Sequence, residues 1–317
     1  MFVARGIAIS FSVFMVTYCV LSVAVGVVWR IFYLRPEQYA SRHAADLLFG
    51  LRMFPVAAAG LITIAFTIPS FVLLEPRSIN EPLGEIPLAL GLAGCGLGIF
   101  GVVNALRAIR RASETISAWT GTAQPLRPVA SVPVLRITQT VPAMTAIGIV
   151  RPRVLLSGAA ESLLSTCELN AALNHELAHV RRRDNLKKLL LRFVAFPGMA
   201  GLEAAWLEAT EMAADDAAVS SSAEALDLAA ALIKVSRLGP VETPAELTAA
   251  LVHSPASVMN ARVGRLIAWN EQDHQPAGKK YSAWYGASAA LVTFTAFAIS
   301  YVQLLQHVHT ATEWLVR

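Results

Sequence analysis

The 317-residue chain is 55% hydrophobic and only 15% charged, with a mean hydropathy of +0.54 and a net charge of +4. A soluble protein carries about 25% charged residues, so this composition weighs against one and points to the membrane. No block of like charge suggests nucleic-acid binding, and the scattered Cys19, Cys95 and Cys167 form neither a disulfide framework nor a thiolate metal site.

Residues 6–29 are uncharged over 24 positions, enough to cross a bilayer. The run exceeds a signal-peptide core and lacks a small-x-small cleavage site, which favours a retained span over a cleaved leader. A polar stretch with Arg30, Arg35, Arg42 and Arg52 follows, then a second span over 53–74 with Pro55 and Pro69 near its ends. A short acidic loop over 75–85 leads to a third span, 86–106, followed at once by Arg107, Arg110 and Arg111. The positive-inside rule puts both arginine groups in the cytoplasm, with the acidic loop and the N-terminus outside. Arg5 is the one dissenting charge. None of these spans holds an ionisable residue, which argues against transport. Gly94 and Gly98 make a small-xxx-small pair in the third span, read as close helix packing ahead of a dimer motif, so that a homodimer stays open.

From 112 to 280 the composition becomes that of a mixed soluble domain. Residues 117–132 read as a linker, and 133–138, 145–150 and 153–157 as strands, with Arg151-Pro152 between the last two. Ser165 and Glu168 fit a capping box. The helix they start is expected to run through His179 and past Arg181-Arg182-Arg183-Asp184. The apolar run 189–202, broken by Arg192 and Pro197-Gly198, is too short to span and reads as a buried or interfacial hairpin. Helices are expected over 204–219 and 224–235, a loose segment over 239–248 and a polar linker over 270–280. A fourth uncharged span over 284–305 should leave the cytoplasm, with 306–317 outside.

Within the capped helix, Asn174-His175-Glu176-Leu177-Ala178-His179-Val180 contains H-E-x-x-H. Helical pitch puts His175 and His179 on one face, where both imidazoles can reach one metal ion, and turns Glu176 about 100° away. Neutral imidazoles hold Zn²⁺ without quenching its charge, and a carboxylate beside an acidified water is a general base for peptide hydrolysis. The plain alternative, an Ala-rich buried helix carrying these residues by chance, is disfavoured because the chain has only 7 histidines.

A zinc peptidase needs a third protein ligand and leaves the fourth position to water. Glu211-Met212-Ala213-Ala214-Asp215 supplies a Glu and an Asp one helical turn apart. Glu211 is the expected ligand, and Asp215 the expected acceptor for an imidazole N–H. Glu208, on much the same face, is the rival ligand. A solvated acidic face that also takes in Glu203 and Asp216 is the plain alternative. One Zn²⁺ ion is expected at His175, His179 and Glu211.

Three segments extend this pattern. Ala146-Ile147-Gly148-Ile149-Val150-Arg151-Pro152-Arg153-Val154-Leu155-Leu156 is similar to a G-x-x-x-P-x-x-x-L segment ahead of the active site, His175 to Asp184 reads H-E-L-A-H-V-R-R-R-D, and Glu211 to Asp215 reads E-x-x-x-D. With three spans before the peptidase and one after, the chain resembles the BlaR/MecR family of integral-membrane zinc peptidases, bacterial antibiotic-sensing signal transducers with many sensor-less relatives. The resemblance covers residues 6–305 and rests on hydropathy outside those segments. Family members that sense beta-lactams carry a large extracellular penicillin-binding domain after the last span. This chain stops there, so direct antibiotic sensing by it is not expected.

The resemblance implies an α-helical membrane protein with four transmembrane helices and a cytoplasmic α+β zincin-like metallopeptidase domain. It divides the chain into a three-helix region over 1–111, the peptidase over 112–280, and the fourth helix with a short extracellular tail over 281–317. It further implies a gluzincin mechanism, with zinc on His175, His179 and Glu211 and Glu176 as general base and then proton donor. Substrate would add to an edge strand within 145–157. Arg237 and His253 are candidates to stabilise the oxyanion, though each also reads as a surface or structural residue. Arg182 and Asp184 belong to the family-like motif and are expected to form an ion pair or support the ligands.

The leading functional expectation is a zinc endopeptidase in regulated proteolysis, anchored in the bacterial inner membrane with its active domain in the cytoplasm. Its partners would be membrane lipid and a protein or peptide substrate, either a cytoplasmic transcriptional repressor or the protein itself. No direct nucleic-acid contact is expected. An HtpX-like processing or quality-control peptidase shares both motifs but divides its spans differently. A catalytically silent signalling or scaffold protein is disfavoured by the intact His175, Glu176, His179 and Glu211.

Overall fold

The computed structural model describes residues 2–32, 41–76, 84–121, 123–138, 143–194, 196–238, 249–250, 256–269 and 301–312. Two compact units emerge, one of Met1–Ile31, Met53–Phe100 and Pro276–Arg317, the other of Phe32–Arg52 and Gly101–Gln275. Three helical stretches are long and apolar enough to cross a membrane: Phe2–Ile31, His43–Leu74 and Glu85–Thr120.

These stretches belong to α1 (Phe2–Phe32), α2 (Ser41–Ile62) continued by a π-helical turn (Thr63–Thr67) into α3 (Ile68–Leu74), and α4 (Glu85–Thr120). Each runs beyond the span read from the sequence. Arginine is a good helix former, so the charged flanks stay helical and hydropathy marks only the apolar part. Much of the polar stretch after the first span is the start of α2, and 117–120 belong to α4 and not to a linker.

In the first unit, α1 and α4 approach closely at glycines. A Cβ on Gly91 or Gly94 would lie 3.1 or 3.0 Å from the carbonyl oxygens of Ala8 and Phe11, whereas one on Gly98 would meet nothing within 4 Å. The packing pair is therefore Gly91 and Gly94, in place of Gly94 and Gly98. The Ser12 hydroxyl lies 2.7 Å from the Pro87 carbonyl. Arg5, the charge that dissents from the orientation rule, meets Glu75 at 3.0 Å. Residues 301–312 are helical, and the Tyr301 hydroxyl donates to the Ala65 carbonyl at 2.7 Å, at the π turn. Of the expected fourth span, 284–300 lie outside the described residues, as do the 239–248 segment, the 270–280 linker and His253.

The second unit is built on a mixed sheet of β1 (Gln124–Pro125), β2 (Val134–Ile137), β3 (Met144–Ile147), β4 (Arg153–Ser157) and β5 (Ala249–Ala250), in the order β1-β2-β4-β3-β5. Only β2 and β4 are parallel. Both faces are covered. Val134, Val154 and Leu156 belong to the large core with Leu228 and Leu232, while Ile137, Ile147 and Leu155 pack with Ile116 and Trp119 of α4. Two expectations change here. The linker contains β1, and β4 is interior, while β3 pairs with β5 at Thr145 and Ala146. Strand addition at those two residues therefore has no open edge.

Six helices follow or flank the sheet strands: α5 (Gly158–Leu163), α6 (Thr166–Arg182), α7 (Asp184–Phe193), α8 (Ala200–Ala218), α9 (Ser222–Ser236) and α10 (Ala256–Ile267). The expected hairpin over 189–202 is the end of α7, a turn at Pro197-Gly198 and the start of α8. The sequence reading did not find α10. On α2, Asp46, Phe49 and Arg52 recur every three residues and face this helical layer. Asp46 meets Lys187 at 3.1 Å, Phe49 packs on Trp206 at 6.0 Å, and the buried Arg52 binds Glu203 at 3.0 Å and the Val194 carbonyl.

The capping box of α6 is complete. Ser165 Oγ accepts from the Glu168 N–H at 3.3 Å and Glu168 accepts from the Ser165 N–H at 2.8 Å, while the same carboxylate binds Lys234 of α9 at 2.7 Å. Ser165→Ala removes one cap bond and should cost about 1 kcal/mol. Glu168→Ala loses a cap bond and the tie to α9, and should lower the thermal midpoint of the detergent-solubilised chain further. Equal midpoints for the two variants would contradict this.

Candidate metal centre

Helix α6 carries the centre because its sequence allows close neighbours. Ala171, Ala172 and Ala178 are buried along it, and small side chains let adjacent helices approach. His175 and Glu176 have no exposed surface and His179 retains 3%.

The helix runs through His179 to Arg182 but not past Asp184 as expected. Arg183 adopts φ 54°, the left-handed conformation that ends α6, and its N–H bonds back to the His179 and Val180 carbonyls. A non-glycine residue there costs about 1–2 kcal/mol, and such strain persists where the surroundings over-determine it. Its effect is to fold Asp184 back onto α6. Asp184 is fully buried and accepts from His179 Nδ1 at 2.8 Å. Arg182 and Lys187 lie 3.7 and 3.9 Å from its other oxygen.

Helix α8 supplies the counterpart. Asp215 Oδ1 lies 2.9 Å from His175 Nδ1, and Glu211 places its two oxygens 3.6 Å from His175 Nε2 and from His179 Nε2. The Nε2 atoms are 3.1 Å apart. His175, His179 and Glu211 form the group, among the described residues, that can hold a metal ion. Glu208 is not part of it, and Arg237 sits exposed at the end of α9.

Glu176 points to the sheet side. Its Oε2 accepts from the Ala146 N–H of β3 at 2.6 Å, and its Oε1 is buried without a hydrogen-bond partner. Asn185 secures the same strand by donating to the Ala146 and Gly148 carbonyls at 3.1 and 3.3 Å. Beside His179 lies a cavity of about 470 Å³, lined by Val180, Asn185, Leu186 and the 148–152 turn.

Two residues were missed by the sequence reading. Arg262 of α10 is buried and grips both Asp215 oxygens at 2.7 Å, with Glu211 Oε2 at 3.0 Å. Lys188 of α7 feels Glu211, Asp184 and Glu176, although burial outweighs them and lowers its ammonium pKa. A signal for Arg262 existed. Met259, Arg262, Val263 and Leu266 follow helical spacing, and the acidic pair on α8 demands a buried cation.

The fit to a metal is visible in the nitrogens. Carboxylate oxygens of Asp215 and Asp184 at 2.9 and 2.8 Å favour the Nδ1–H tautomer of each neutral imidazole, leaving two bare Nε2 lone pairs facing one another. Only a cation between them relieves that opposition. Glu176, Asp184, Glu211 and Asp215 add four carboxylates, of which Arg262 meets Glu211 and Asp215 and Arg182 approaches Asp184. Burial pushes the Glu176 carboxyl up. For Glu211 and Asp215, burial acts upward but Arg262 and the histidines hold both below the usual range.

Residues 88–265 match the family model described as BlaR1 peptidase M56, more than half of the chain. The chain belongs to that family. No curated protein matches it. Membership makes this a membrane-associated peptidase, and the matched stretch contains every residue of the centre from Ala146 to Arg262. Family and geometry meet at one place, the face of α6 that presents His175 and His179.

Without metal, a proton must serve between the nitrogens. Burial disfavours it, but Asp215 and Glu211 more than offset burial and raise His175 to about 9. That stabilisation is fully present below pH 6.5 and is lost as pH rises through about 9. Metal-free protein should therefore melt at progressively lower temperature from pH 6.5 to 9, whereas metal-loaded protein, whose ligands are already deprotonated, should not. Melting curves with and without chelator test this, and a flat metal-free profile would contradict it.

Proposed function

We propose that this protein is a zinc endopeptidase of regulated proteolysis, anchored in the bacterial inner membrane, that cleaves a cytoplasmic repressor-like regulator or itself. The observation that carries the reading is the convergence of two carboxylate-held imidazoles and Glu211 beside the buried, half-satisfied Glu176. Two nitrogens and one carboxylate oxygen are borderline donors that suit Zn²⁺ in a catalytic site with an open position. Bound there, zinc would polarise the scissile carbonyl and acidify water.

The protein groups divide the remaining work. Ala146 N–H holds Glu176 Oε2, so Oε1 is the atom left to take a proton from the attacking water and return it to the leaving amine. Asp215 and Asp184 fix the turn of the two imidazoles and present Nε2 to the metal position. The cavity beside His179, lined by both apolar and polar residues, gives a substrate side chain a place to lie.

Orientation is proposed from charge. Arg30, Arg52, Arg107, Arg110 and Arg111 favour the cytoplasmic side, and the Arg5–Glu75 pair neutralises the one charge that argued otherwise. An N-terminus outside and a cytoplasmic centre follow, with 284–305 as the last span.

Glu176→Gln should leave metal content unchanged while lowering cleavage by about 10²–10⁴-fold. Protein N-termini compared between cells making the wild type and this variant would show it. New N-termini dependent on Glu176 identify the substrate. Identical N-termini under every growth condition would favour a non-cleaving signalling protein.

A further inference from the structure

Arg262 is 1% exposed, and three of its contacts to α8 carboxylates are short. Nε and Nη2 meet Asp215 Oδ2 and Oδ1 at 2.7 Å, and Nη1 meets Glu211 Oε2 at 3.0 Å. The fork on Asp215 fixes the plane of the guanidinium and therefore the direction of Nη1. Asp215 is itself held 2.9 Å from His175 Nδ1. One histidine, one aspartate, one arginine and the Glu211 carboxylate thus form a continuous chain, in which the two Glu211 oxygens are not equivalent. Each lies 3.6 Å from one imidazole Nε2, Oε2 from that of His175 and Oε1 from that of His179, but Oε2 also has the guanidinium at 3.0 Å.

A carboxylate can bind a metal through one oxygen or both, and the choice matters. Two oxygens would take up an additional coordination position, the one a hydrolytic site keeps for water or substrate. An oxygen held against a guanidinium at ion-pair distance has its negative charge partly compensated and is the poorer donor to a metal. Guanidinium cannot be deprotonated in a protein, so this occupation persists at any working pH.

We propose that Arg262 is a positioning residue that sets how Glu211 binds the metal: by occupying Oε2 it leaves Oε1 as the coordinating atom and keeps the open position open. The proposal rests on the reading of His175, His179 and Glu211 as metal ligands. Lysine would not replace arginine fully, because one ammonium cannot grip Asp215 in a fork while reaching Glu211 in a fixed direction.

The test uses the full-length chain in detergent, stripped of metal and reloaded with Co²⁺, whose visible d–d bands are stronger in four-coordinate than in five-coordinate sites. Arg262→Met removes the cation. Arg262→Gln also removes it but keeps a donor for Asp215, so the pair guards against a variant that fails to fold. The expected result is a loss of band intensity in each folded variant, with partial recovery in Arg262→Lys. A purely structural ion pair would lower the melting temperature and leave the bands alone, so a wild-type spectrum in a folded Met or Gln variant overturns the proposal. Failure of the wild type itself to take up Co²⁺ would instead overturn the metal centre on which it rests.

Discussion

Asp215 and Asp184 each set a carboxylate against the back of an imidazole, and these two contacts decide which nitrogen His175 and His179 present to each other. Everything else in the centre follows from that choice. With Nδ1 committed, the Nε2 lone pairs converge at 3.1 Å, a geometry that is repulsive unless a cation shares it. Glu211 and Arg262 then settle the charge around the same point. The two aspartates come from opposite directions, one on α8 and one at the first position of α7.

Delivering Asp184 to that place requires the chain to stop and turn at Arg183, one helical turn after His179. The left-handed Arg183 does this, at the energetic cost of a conformation that glycine would adopt more easily. The reversal also starts α7, whose Asn185 fastens the Ala146 and Gly148 carbonyls. Ala146 is thus tied by its carbonyl to α7 and by its N–H to Glu176. The helix that carries the ligands and the strand that aims the base are positioned by one turn.

The capping box at Ser165, the H-E-x-x-H face and the E-x-x-x-D turn were legible in the sequence because each depends on helical spacing alone. What was not legible depends on tertiary contact. The stop at Arg183 has no glycine to announce it, so the helix is expected to continue past Asp184. Arg262 lies 47 residues from Asp215, and its helical spacing with Met259 and Leu266 does not say which carboxylates it meets. Hydropathy found the apolar parts of α1 to α4 but not their ends, since Arg30 and Arg107 suit a helix as well as they suit water. The pairing of Ala249–Ala250 with β3 involves two alanines, which carry no strand signal.

The burial of the centre has a consequence for how metal comes and goes. His175 and Glu176 have no exposed surface, and the Glu211 side chain keeps only 13%. Entry for ion and substrate alike is confined to the little surface that His179 and Glu211 retain, the former on the cavity beside Val180 and Leu186. An ion must give up much of its hydration to pass, so the burial that strengthens its bonds also slows its exchange.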